Sequence, residues 1–139
     1  MEQVCRDWAL PHADPDWALH HADPELLRGL PARVGQGVVH DPKARTGHEV
    51  DVAVIGIAEG TKPPFLALGE AKWNDVMGAA HIDRLRHIRD LVTLAGRYDT
   101  AGTKLICFSG AGFNDKAHAT AAADPDIRLI DLATLYGQV

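Results

Sequence analysis

Two stretches of the chain carry the hydrophobic pattern of strands. HEVDVAVIG, residues 48–56, alternates and then runs apolar through Val and Ile, and FLALGEAKW, residues 65–73, is a second apolar run. Both read as strands buried largely on two faces. Ala58 to Pro64 between them is turn chemistry, which predicts an antiparallel hairpin centred on Gly60 and Thr61. Arg33 to Val39 reads as a strand entering the hairpin, followed by a loop from Asp41 to Gly47. Beyond the hairpin, Ile82, Leu85, Ile88, Val92 and Ala95 recur at helical spacing and predict a helix from about Val76 to Ala95 with one core-facing stripe. TKLICFSG, residues 103–110, is a buried strand, Asn114 to Ala123 a short alanine-rich helix, and Asp126 to Asp131 a last strand that ends in a helical turn through Tyr136. At the other end, residues 2–10 read as the end of a helix. His-Ala-Asp-Pro then occurs twice, with Asp14 and Asp23 as caps and Pro15 and Pro24 at first helical positions. The order of elements implies an α/β fold, a mixed sheet flanked by helices, in one domain spanning residues 1–139.

That pattern places chemistry on the hairpin. The predicted register sets Asp51 opposite Glu70. Side chains alternate along a strand, so Glu70 and Lys72 share a face at about 7 Å, while Ala71 offers its backbone carbonyl. Two acids and a lysine within an apolar hairpin are costly to bury without a purpose. Hard oxygen ligands of this kind suit Mg2+ or Mn2+. A metal between Asp51 and Glu70 could activate water and stabilise charge on a phosphodiester oxygen, with Lys72 orienting or deprotonating the nucleophile. The alternative is a solvated strand face carrying a Glu-Lys pair. Glu49 shares the strand face of Asp51 and is a further candidate ligand, with a surface acid as its alternative.

An Asp at a strand start, a hairpin, then LGEAKW, a long helix and a further strand resembles the PD-(D/E)XK nuclease superfamily, the restriction-endonuclease-like fold. Asp51 matches the first acid of that family, and Glu70 and Lys72 match its ExK element. Within the superfamily, EVDVAVIG followed by LGEAKW is most similar to the nuclease-like domain at the C-terminus of certain prokaryotic AAA+ type ATPases. The opening MEQVCRDW fits the same resemblance and makes Glu2 a candidate auxiliary acid and metal ligand. The resemblance implies a mixed sheet flanked by α-helices, Mg2+ or Mn2+ as cofactor, catalytic Asp51, Glu70 and Lys72, DNA as substrate, and an ATPase domain or subunit as partner. The chain has no GxxxxGK[ST] loop, and Gly102-Thr103-Lys104 lacks the upstream glycine of such a cradle. It is therefore not itself the ATPase. Because Met1-Glu2 reads as already helical, N-terminal truncation of a longer domain is expected.

Composition tempers the nucleic-acid reading. The net charge is -5, whereas duplex binders usually present a basic surface. The excess is confined to residues 1–27, where Arg6 stands against Glu2, Asp7, Asp14, Asp16, Asp23 and Glu25; from residue 28 onward acids and bases are equal in number. Arg33, Lys43, Arg45, Arg84, Arg86 and Arg89 are candidates for a local basic surface. For the helical arginines the alternative is a solvated face paired with Asp83 and Asp90. This balance keeps a second function class open, a catalytically inactive interaction or regulatory module of an ATPase. At 139 residues and 46% hydrophobic content the chain can bury one ordinary core. No apolar run reaches about 18 residues and no secretory leader is evident, so a soluble, cytoplasmic protein without membrane contact is expected. Cys5 and Cys107 read as two reduced, buried thiols. Many nucleases of this fold cut two strands with two sites, so a homodimer is a further expectation, with no interface identified.

Ser109, in FSGAGF, reads as a strand-end turn rather than a nucleophile. His81 and His87 are six apart on the helix and do not stack as i, i+4 ligands would. His12, His20 and His21 belong to the two small helices rather than to a metal site. Trp73, directly after Lys72, is expected on the opposite face, in the core.

Overall fold

A computed structural model describes residues 31–58, 60 and 62–131. It contains the strands β1 (Pro31–Asp41), β2 (Thr46–Gly56) and β3 (Phe65–Lys72), the helix α1 (Ala79–Ala95), β4 (Lys104–Ser109), the helix α2 (Asp115–Ala123) and β5 (Ile127–Asp131). The five strands form one mixed sheet in sequence order. β1, β2 and β3 are an antiparallel meander, while β4 and β5 add in parallel through the crossovers carrying α1 and α2.

Position in the sheet explains the sequence patterns. β3 and β4 are central and buried almost throughout, so both read as continuous apolar runs, whereas β2 alternates along most of its length. Leu68, Leu105 and Cys107 of the sheet share a core with Ile82, Leu85, Ile88 and Val92 of α1. This is the predicted stripe, with one exchange: Leu91 is buried and Ala95 is exposed. α1 begins at Ala79 rather than Val76 because the backbone of Met77 is already committed. Its amide donates to the Gly112 carbonyl at 3.0 Å and its carbonyl accepts from Asn114 at 3.1 Å, a bridge incompatible with helical geometry. The Gly78 amide then donates to His81 Nδ1 at 3.0 Å, satisfying a donor that the helix leaves orphaned. Gly96 stops the helix in the left-handed conformation at φ 74°. In α2, the Asn114 side chain caps the Ala117 amide at 2.9 Å.

The first turn is tighter than the expected loop, because Thr46 and Gly47 pair with Asp41 and His40. Only residues 42–45 connect the strands, and Asp41 Oδ1 accepts from the amides of Lys43 and Ala44, both at 3.1 Å. Two irregularities shape the meander. Between the pairs Gly35–Ala53 and Gly37–Val50, Asp51 and Val52 stand opposite the single residue Gln36, so β2 bulges there. Between Val54–Ala67 and Ile55–Phe65, Leu66 is the extra residue on β3. Gly69 sits where a Cβ would lie 3.0 Å from Val52 and 3.2 Å from Phe108, so a side chain there would require both neighbours to shift by a few tenths of an ångström.

The helices predicted in residues 2–10 and at the two Asp-Pro starts, the final turn through Tyr136, and Cys5, His12, His20 and His21 lie outside the described residues. Cys107 is a buried free thiol.

Candidate functional site

Val52 pairs with Gly69, Ala53 with Leu68 and Val54 with Ala67, the register expected for a hairpin centred on Gly60 and Thr61. One residue further it sets Asp51 opposite Glu70. At that point a side chain replaces the backbone ladder: Asp51 Oδ2 accepts from the Ala71 amide at 2.9 Å. The bulge at Asp51 and Val52 re-aims the chain here, so the Asp51 carboxylate is held against the peptide that follows Glu70. The amide and carbonyl of one strand residue leave the same edge. The Ala71 carbonyl therefore faces the β2 edge, where Asp51 sits, while the next carbonyl, that of Lys72, accepts from Gly110 at 2.9 Å on the β4 side.

Glu70 is 7% exposed. Lys72 Nζ lies 3.9 Å from Oε1 and Arg84 Nη1 lies 3.4 Å from Oε2. The Oε2 atom is nonetheless buried with no hydrogen-bond partner among the described residues. Arg84 is fixed by its other nitrogen, which donates to the Glu49 carbonyl at 2.9 Å, so the guanidinium bridges α1, β2 and β3. Two carboxylates and two cations leave this group neutral. A divalent ion would make it net positive, which suits a phosphodiester, and the Glu70 oxygen, which accepts no hydrogen bond, with the Asp51 carboxylate is an oxygen-donor set that fits Mg2+ or Mn2+. Beside Glu70 on β4, burial pushes the Cys107 thiol up to about 12, with the Glu70 carboxylate adding to the effect. That thiol therefore stays protonated at neutral pH.

Asp51, Glu70, Ala71 and Lys72 are thus brought together. Glu49 contributes its carbonyl to Arg84, while its side chain is exposed. Glu2 lies outside the described residues. Trp73 is 47% exposed rather than part of the core. β3 ends at Lys72 and the chain bends through residues 73–75, so strand alternation no longer sets the direction of the indole. The helical arginines find acids other than Asp90. Arg86 pairs with Asp83 at 3.4 Å and with Asp124 at 3.1 Å, and Arg89 lies 4.0 Å from Asp126. Asp126 also accepts from Lys104 at 3.1 Å, and Thr103 donates to the Phe65 carbonyl, so Gly102-Thr103-Lys104 is structural. Ser109 donates to the Asp75 carbonyl and accepts from the amides of Ala111 and Gly112, which uses its hydroxyl in a strand-end turn.

Sequence reading missed two things. Arg84 appeared only as surface charge, with nothing local to link it to Glu70. The second is a metal-ligating cluster: Asp41, His48 and His87 each offer one ligand atom, all within 4.8 Å of one another. Spacing within one helix could not reveal it, because the three come from the end of β1, the start of β2 and the middle of α1. The Ala44 amide, with the His87 side chain and the Lys43 amide, holds the Asp41 carboxyl below its usual range, against the opposing effect of desolvation. A cavity of about 630 Å³ opens between β1, β2 and the second half of α1, lined by His40, Pro42, Val50, Ile55, Leu91 and Tyr98.

No family model, no curated protein and no solved structure matches the chain. Among the described residues, no helix is long and apolar enough to cross a membrane.

Proposed function

We propose that the chain is a metal-dependent nuclease domain of the restriction-endonuclease-like class, hydrolysing phosphodiester bonds of DNA. The observation that carries this reading is a buried Glu70 oxygen that accepts no hydrogen bond and meets only the Arg84 guanidinium, next in the chain to the amide that holds the Asp51 carboxylate, with Lys72 on the same strand. The mixed sheet supports it: an antiparallel meander leading into a strand-helix-strand crossover is compatible with that class, and the acids lie near the carboxyl end of β3. Asp51, Glu70 and the Ala71 carbonyl would hold Mg2+ or Mn2+, which when bound supplies an activated water and charge stabilisation. Buried Glu70 lies between Lys72 and Arg84, and an ion would share its charge with them. The Ala71 amide orients Asp51. Lys72, 3.9 Å from Glu70 and partly exposed, is placed to orient the attacking water or to meet the negative charge that develops on the phosphate. Arg84 would give up part of its hold on Glu70 to an ion or to the phosphate itself. A cytoplasmic location, an ATPase partner and a homodimer belong to the same reading.

The test is incubation with plasmid, linear and branched DNA in Mg2+ or Mn2+. Cleavage should appear with the native sequence and vanish in Asp51→Ala and Lys72→Ala. Cutting that survives both substitutions removes the assignment. A second reading, a non-catalytic module that keeps the fold, is favoured by one observation: Arg84 and Lys72 already balance the two carboxylates without an ion. Calorimetry separates the two, since the module shows no Mg2+ or Mn2+ uptake that depends on Asp51.

A further inference from the structure

We infer that Asp41, His48 and His87 form a second metal site, for a divalent transition ion of the zinc type, distinct from the oxygen-donor group on β3. Two imidazoles with one carboxylate are a ligand set that zinc takes up, whereas Mg2+ prefers oxygen alone. Each ligand comes from a different element, so the site clamps the hairpin onto α1. The donor atoms lie within 4.8 Å of one another, and Asp41 Oδ2 is 3.3 Å from His87 Nε2. With metal-ligand distances of about 2.0 to 2.1 Å, the edge of a tetrahedral site is about 3.3 to 3.4 Å. An octahedral site at similar distances has an edge of about 3.0 Å. The Asp41–His87 separation, a hydrogen bond as it stands, is already that of a tetrahedral edge, and donor atoms spread over as much as 4.8 Å would close onto the ion.

The surroundings are those of a prepared ligand set. Asp41 is buried and its Oδ1 is occupied by the Lys43 and Ala44 amides, which turns Oδ2 toward His87. Support of this kind, a carboxylate oriented by hydrogen bonds through its other oxygen, is what metal ligands commonly receive. The His48 Nε2 atom is buried and has no hydrogen-bond partner among the described residues. A buried imidazole nitrogen without a partner carries a desolvation cost that a metal bond would remove. The two rings meet edge to face at 5.4 Å, which keeps the His48 plane from stacking on His87 and blocking it. His87 is half-exposed, so solvent reaches the cluster, and with three protein ligands the fourth position is open to water.

The test uses the full chain, stripped of metal, titrated with Zn2+ alone by calorimetry and with Co2+ followed by visible absorption. We expect one saturable zinc equivalent, the intense absorption of tetrahedral cobalt, and a raised thermal midpoint on adding zinc. His48→Ala and His87→Gln should each weaken zinc binding at least tenfold and abolish the midpoint shift. Metal-free midpoints measured beside the native protein distinguish a lost ligand from a lost fold, and His87→Gln, at a half-exposed position, is the variant expected to fold normally. The Asp51→Asn, Glu70→Gln double variant should bind zinc as the native protein does, which separates this site from the proposed nuclease centre. Absence of saturable zinc binding, or binding unchanged by His87→Gln, overturns the inference.

Discussion

Removing the Arg84 guanidinium tests whether Glu70 is held by charge alone. The perturbation is Arg84→Met, which keeps the aliphatic stem and deletes the cation. At 3.4 Å and an effective dielectric of about 20, the attraction between the two charges is about 5 kcal/mol before desolvation. Breaking a fully buried pair costs about 3 to 5 kcal/mol. Here the loss is smaller, because Arg84 is 34% exposed and Lys72 remains 3.9 Å from the other oxygen. A net loss of about 2 kcal/mol follows, or a fall of about 7 °C in thermal midpoint for a chain of this size. The assay is a double-mutant cycle with Glu70→Gln, measured by urea unfolding in chelator. In the Glu70→Gln background the same Arg84→Met change should cost less than about 0.5 kcal/mol, since the buried charge is gone. Calorimetry with Mn2+ then reads the other half of the argument. If an ion competes with Arg84 for Glu70, Arg84→Met should tighten Mn2+ by up to about 30-fold, the equivalent of about 2 kcal/mol. Equal destabilisation in both backgrounds would refute the reasoning and assign the value of Arg84 to its bond with the Glu49 carbonyl.

Three other predictions concern the framework. Lys104 is 1% exposed and paired with Asp126, so Asp126→Ala should cost about 2 kcal/mol by leaving a buried ammonium with only the Pro125 carbonyl, whereas Lys104→Met should stay within about 1 kcal/mol of native; equal costs in urea melts would contradict this. The Cys107 thiol is raised from 9.0 to about 12, so its contribution to stability is complete below pH 9 and is lost as pH rises toward 12, by up to about 1.4 kcal/mol per unit. Cys107→Val should flatten that part of the stability profile, and native Cys107 should resist thiol reagents at pH 8 until the protein unfolds. Arg45 occupies the left-handed region at φ 52°, so Arg45→Gly should stabilise by about 0.5 kcal/mol in equilibrium unfolding, with a loss of stability counting against a strained turn.

The strands and their register were legible because the physics behind them is local. Val and Ile alternate in 50–55, turn residues fill 58–64, and the midpoint of the hairpin follows from those two facts alone. The α1 stripe was legible for the same reason. Boundaries were harder where a distant partner decided them. Met77 cannot start α1 because Gly112 and Asn114 take its backbone, and nothing near residue 77 in sequence signals that. The bulge opposite Gln36 is equally silent, since its extra residue is defined by the neighbouring strand. Within the candidate site, Asp51, Glu70 and Lys72 could be read from alternation, but the Asp51 bond to the Ala71 amide depends on the bulge. Arg84 looked like any other surface arginine, and its relation to Glu70 exists only once α1 lies over β3. His48 and His87 are still more separated, and only the folded chain brings their nitrogens to one carboxylate.

These misses share one cause, the placement of α1 on the sheet. Arg84 and His87 are three residues apart and so lie on one side of the helix. Arg84 reaches the carbonyl of Glu49 and the carboxylate of Glu70, and His87 meets Asp41 and His48. Adjacent residues of β2, His48 and Glu49, therefore take part in the two clusters, and one helical turn joins the same clusters on α1. Between Arg84 and His87 in sequence stands Leu85, buried in the core with Ile88. The packing that docks the helix thus also fixes both sets of distances. A shift of α1 along the sheet would change the Arg84–Glu70 and His87–Asp41 separations together, because close-packed interiors transmit displacement rather than absorb it. The oxygen-donor group on β3 is consequently not a property of the hairpin alone. Asp51 and Ala71 are set by strand pairing, but the charge that Glu70 experiences is set by a helix whose position the two clusters share.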